Sequence, residues 1–203
     1  MSSSTEPIRK RGEAARQRIL DAAEELFFNK GINATAVEDV AEAARVSKRT
    51  LYAYFESKDD LAQAYLDRLR AKPDTVDAAT THPELDPKTR LLQVLADGPA
   101  GDQPLRGCAF LNAAVEEPDP DAPIHQLVIE QKQDFAARIS DLARELGARD
   151  PDMLGRRLAL LYDGAAAGMT ALNSPAPLHT ARDLAAELID DALPRTRRKT
   201  RSK

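Results

Sequence analysis

The sequence predicts an all-α protein of about nine helices. Apolar residues recur at helical spacing, as in Ile19, Ala22, Ala23, Leu26 and Phe27. No segment alternates as a strand does. Residues that start and stop helices fall where that periodicity begins and ends.

Taken in order, residues 1–12 are polar and basic and read as a flexible arm. The first helix opens near Glu13 and stops at Asn29-Lys30-Gly31, where Gly31 suits a left-handed cap. Thr35 and Glu38 form a capping-box pattern for a short helix through Ala44. Ser47 caps a third helix with Leu51 and Phe55 apolar, and Ser57 a fourth that runs to Arg70. Lys72 to Pro87, rich in Pro, Thr and Asp, reads as a loop. A short helix over 88–96 is broken by Gly98-Pro99-Ala100-Gly101, and another spans Gly107 to Glu116. A long helix covers Pro123 to Gly147, a second runs from Pro151 to just before Asn173, and the last spans Thr180 to Leu193. The tail from Pro194 is expected to be disordered.

Composition excludes several classes. No apolar run is long enough to span a membrane, and Met1–Gly12 lacks the apolar stretch of a secretory signal. Cys108 stands alone, which excludes an intrachain disulfide and a Cys-cluster zinc site and fits a reducing cytoplasm. His82, His125 and His179 lack ligand spacing, so neither metal nor cofactor is expected. Nothing around Cys108 or His125 supports a nucleophilic triad, so the chain does not read as an enzyme.

Charge is unevenly distributed. Residues 1–55 carry net +1, 56–193 carry −11 and 194–203 carry +6. An anionic partner would be repelled by the middle and met at the ends. The segment near +1 also holds Phe27, Phe28, Tyr52, Tyr54 and Phe55, five of nine aromatics.

A short helix, a turn at Ala44-Arg45-Val46 and a second short helix from Ser47 make a helix-turn-helix pattern. Its second helix can enter a DNA major groove about 12 Å wide. Lys48 and Arg49 start that helix, able to reach phosphates or guanine edges, and Thr50, Tyr52 and Tyr54 add hydroxyls. Lys58 sits at the start of the fourth helix, whose free amides favour a phosphate.

The run from Thr35 to Leu61, TAVEDVAEAARVSKRTLYAYFESKDDL, closely resembles the DNA-binding signature of TetR-like transcriptional regulators, and the likeness covers residues 14–61. It implies that residues 13–56 bind DNA and that 57–193 form a larger helical domain for ligand binding and dimerisation. The implied DNA contacts are Thr35, Arg45, Ser47, Lys48, Arg49, Thr50, Tyr52, Tyr54 and Lys58. Two positions depart from the pattern: Arg45 stands where the family usually has Gly, and Ala36 where a hydroxyl residue is common.

The rest of the chain resembles the family more loosely, through Arg106 to Glu116. Polar tips on apolar faces mark Tyr65, Asn112, Glu116, His125, Gln131 and Tyr162 as candidate ligand contacts, with Cys108 as a candidate pocket wall. Leu158, Leu161, Ala165 and Met169, with Leu184 and Leu188 of the last helix, form the stripe expected to pair across a two-fold axis.

The expectation is a cytoplasmic homodimer that represses from a palindromic DNA operator and is released by an unidentified small-molecule effector, with no membrane partner. The rival is a helical ligand-binding protein or enzyme whose helix-turn-helix is vestigial. Retention of Lys48, Arg49, Thr50, Tyr52, Tyr54 and Lys58 speaks against it.

Overall fold

The computed structural model describes residues 6–96 and 104–194. The first residues of the arm, the Gly98–Gly101 break and the tail from Arg195 lie outside that range. The described residues form ten helices: α1 Glu6–Lys30, α2 Val37–Ala43, α3 Lys48–Tyr52, α4 Lys58–Arg70, α5 Thr75–Thr80, α6 Pro87–Gln93, α7 Ala109–Glu116, α8 Pro123–Glu145, α9 Pro151–Leu172 and α10 Ala176–Ala192. No strand occurs among them.

The extra helix is α5, inside the stretch read as a loop. Asp74 accepts from the backbone amides of Val76 and Asp77, and Asp77 accepts in return from the amide of Asp74. That reciprocal cap satisfies donors that a single turn would otherwise leave bare. The ends of α1 and α10 also lie further N-terminal than the periodicity suggested. Each opens with a proline in its first turn, where a missing N–H costs nothing.

Contacts group the chain into two units, Met1–Lys72 with Ala109–Glu130 and Pro73–Cys108 with Gln131–Lys203, the second division falling inside α8. In the first unit α1 packs on α2 and α4, and α2 on α3. Ile19, Val40, Leu51 and Leu61 are fully buried there. Phe27 and Tyr65 meet edge to face at 5.7 Å. Arg68 of α4 pairs with Asp21 of α1 at 2.6 Å and with Glu24 at 3.5 Å, fastening the two helices along their polar edge.

In the second unit one core joins α5, α6, α8, α9 and α10 through Val76, Leu91, Leu95, Ile139, Leu158 and Ile189. α8 and α9 approach so closely that a Cβ on Gly155 would lie 2.1 Å from Ser140 Oγ. Arg90 is buried in this unit, its Nε donating to the Ala79 carbonyl at 3.1 Å and its guanidinium pairing with Glu145 at 2.9 Å. A buried cation needs that satisfaction to be tolerated at all.

This core takes up part of the expected pairing stripe. Leu158 and Ala165 are internal, and Leu161, Met169 and Leu188 lean on the core from its edge. The apolar residues left outside are Leu160 (73% exposed), Leu184 (46%), Leu172 and Met153. On α9 the register of Leu158 and Ala165 is used within its own unit.

Candidate nucleic-acid interface

α2 and α3 are joined by a tight turn. Arg45 takes φ 54°, the left-handed region, with its N–H on the Glu42 carbonyl at 3.0 Å. Val46 N–H bonds Ala41 O at 2.9 Å. The Ala44 carbonyl, left over at the end of α2, accepts from Arg18 Nε of α1 at 3.2 Å. The turn is thus pinned from a residue 26 positions earlier.

α3 begins as its sequence indicates. Ser47 Oγ accepts from the Thr50 amide at 3.0 Å and bonds the Thr50 hydroxyl at 2.8 Å. Leu51 and Phe55 face inward, and Arg16 lies over the Phe55 ring at 5.4 Å. Lys48, Arg49, Tyr52 and Tyr54 are exposed. A helix of five residues offers most of its surface to solvent because a single leucine anchors it.

The cations of this face are not all idle. Lys48 pairs with Glu38 of α2 and lies 5.8 Å from the Tyr52 ring. That hydrogen bond holds the Glu38 carboxyl below its ordinary range and raises the Lys48 amine. Lys58 Nζ donates to the Asn33 carbonyl at 3.2 Å, and Ser57 Oγ caps α4 through the Asp60 amide. Arg45 and Arg49 are exposed and carry their charge at the surface.

Thr35 requires correction. It is 0% exposed, and its hydroxyl donates to the Gly31 carbonyl at 2.7 Å. With the side chain committed there, α2 has Ala36 at its N-cap and no side-chain cap. The Thr35 hydroxyl is closed to DNA. Arg16 and Arg18, which support the turn and the recognition face, carry no sequence signal, and Glu38, expected to complete a capping box with Thr35, pairs with Lys48 instead. Their partners lie 10 to 39 residues away, beyond any local pattern.

The candidate ligand residues fall into separate places. Tyr65, Asn112 and Glu116 line a crevice in the first unit with Phe27, Phe28 and Ala113. It has no room for even a water molecule, far from the roughly 300 Å³ at which small-molecule pockets begin. Cys108 and Tyr162 meet around Lys132 in the second unit. Lys132 Nζ is 2.5 Å from Asp163, 3.5 Å from Cys108 Sγ and 5.9 Å from the Tyr162 ring. Burial pushes the Tyr162 phenol well above its ordinary range. Gln131 buries its side-chain oxygen without a hydrogen-bond partner. His125 joins neither group, because its Nδ1 bonds the Glu117 carbonyl at 2.6 Å.

Residues 19–65, spanning the turn and both its helices, match the model of the bacterial regulatory proteins of the tetR family. A crystal structure from Streptomyces avermitilis assigned as a TetR transcriptional regulator is 33% identical, covering 84% of this chain and 97% of that one with a TM-score of 0.69. The chain belongs to the tetR family. The transcriptional regulator YjdC of Escherichia coli is 28% identical over 86% of this chain and 93% of its own length. The regulator TtgR of Pseudomonas putida is 36% identical over 87 residues, which span only 41% of its length. These relatives are helix-turn-helix regulators, not enzymes, and residues 19–65 are the part of this chain that matches the family model. Among the described residues no helix is long and apolar enough to cross a membrane.

Proposed function

We propose that this tetR-family chain is a cytoplasmic, homodimeric repressor that reads a palindromic operator and is released by a small-molecule effector. The observation that carries the reading is the exposed set of Lys48, Arg49 and Tyr52 on a helix anchored by one buried leucine, with exposed Tyr54 in the turn that follows it. Arg49 is suited to a guanine edge, while Lys58 at the N-terminus of α4 is suited to a phosphate. Ser47, Thr50 and Arg45 flank that surface.

Two copies would place their α3 helices in major grooves about 34 Å apart, one helical turn of DNA. Residues 57–193 supply the effector and dimer functions. The outward face of Met153 and Leu160 on α9, with Leu184 on α10, supports pairing with a second copy. The Cys108–Lys132–Tyr162 group and Gln131 support an effector site in the second unit. The effector acts by binding one of two conformations more tightly.

Selection of duplexes from a random pool at about 150 mM salt tests the reading, because weak electrostatic binding is screened there. A palindromic consensus is expected. Arg49→Ala should relax it at one base position, whereas Lys58→Ala should weaken all sequences alike. Recovery of unrelated sequences by the parent would sink the proposal.

A further inference from the structure

Glu116 was a candidate ligand contact, yet its hydrogen bonds are spent elsewhere. Its carboxylate Oε2 accepts from the backbone N–H of Asn33 at 2.6 Å, and its main-chain carbonyl accepts from Asn33 Nδ2 at 2.9 Å. One residue at the end of α7 therefore holds the α1–α2 turn by both its backbone and its side chain. The turn is shaped to receive it: Gly31 takes φ 101°, and a Cβ there would lie 2.8 Å from Glu116 Oε1. The same Asn33 offers its carbonyl to Lys58 Nζ. The line Glu116, Asn33, Lys58 thus runs from α7 to the lysine at the N-terminus of α4.

Phe27, Phe28, Ile32, Tyr65, Asn112 and Ala113 surround Glu116 and leave no room for a water molecule among them. The bonds to Asn33 add polar fastening at the end of α7 to this apolar packing. A bond to a charged acceptor is also the stronger kind.

We propose that Glu116 is a positioning residue for DNA binding, fastening α7 to the α1–α2 turn so that a displacement of α7 reaches Lys58. This rests on the reading of the chain as a DNA-binding regulator. Coupling of this kind is reciprocal: if α7 sets DNA affinity, DNA must steady α7.

The test is amide hydrogen exchange of residues 109–116 in the full chain, with and without its selected operator duplex, in the parent, Glu116→Gln, Glu116→Ala and Asn33→Ala. In the parent the duplex should slow exchange across α7. In Glu116→Ala that protection should vanish and operator affinity fall about tenfold, the scale of one lost bond to a charged acceptor. Glu116→Gln keeps an acceptor oxygen and should recover most of both. Asn33→Ala removes only the bond to the Glu116 carbonyl and should show a smaller loss of each. A purely structural role would lower thermal stability while leaving the α7 response to DNA intact. Equal protection in the parent and Glu116→Ala, or protection in neither, overturns the proposal. A parent that binds no duplex selectively overturns the regulator reading instead.

Discussion

Cations meet carboxylates in both units of the chain, to different ends. In the first, Lys48 pairs with Glu38 while more than half of each side chain stays in water. In the second, Arg90 is 6% exposed, and its guanidinium is shared between Glu145 and the Ala79 carbonyl. A solvent-exposed pair is screened and weakly held, so a phosphate can take the place of Glu38. A buried cation cannot trade partners without opening the core around it. The recognition face thus keeps its charges negotiable, and the second unit uses the same chemistry to fix helices in place.

The largest effect that would sharpen this contrast is Arg90→Ala. It strips the Ala79 carbonyl of its donor and leaves a void, and should cost about 2–3 kcal/mol. Urea unfolding should show a lower midpoint at unchanged slope. A loss below about 0.5 kcal/mol would mean that the buried pair is as dispensable as a surface one. Next comes Arg45→Gly, which relieves a left-handed residue in the recognition turn. It should gain about 0.5–1 kcal/mol, read by the same titration. No gain would show that the Arg45 side chain repays its own strain.

The smallest effect is on binding. Glu38→Gln frees Lys48 and removes a negative charge from the proposed DNA-binding face, so DNA affinity should rise about two- to threefold at low salt and less at high salt. Protonating Glu38 acts in the same direction. Because Lys48 holds the carboxyl down, that rise appears only below the ordinary glutamate range, as pH falls through the lowered value. Unchanged affinity across both tests would make Lys48 a spectator.

Local chemistry was legible where a residue's partner lies within one turn. Ser47 and Ser57 cap the helices they precede, and Gly31 takes its left-handed cap. Arg45 keeps the positive φ of the usual glycine. Reading failed where the partner is distant or where two chemistries compete. The Thr35 hydroxyl chose the Gly31 carbonyl over α2, and Asp74 with Asp77 organised a helix in a stretch whose composition reads as loop. Glu116 reaches back 83 residues to Asn33, which no periodicity reports. The α9 stripe was recognised as apolar, but periodicity alone does not say which side of a helix its own unit will use.

The exposure of Tyr52 and Tyr54 has an optical consequence. The chain has four tyrosines and no tryptophan, so its near-ultraviolet emission is not dominated by an indole. Two emitters stand in water on the recognition face, while Tyr65 and Tyr162 are enclosed by neighbouring rings in different units. Iodide in solution should quench the first pair more than the second. The unlabelled protein thus carries a fluorophore that reports on its recognition helix and another whose environment is the Cys108–Lys132 group.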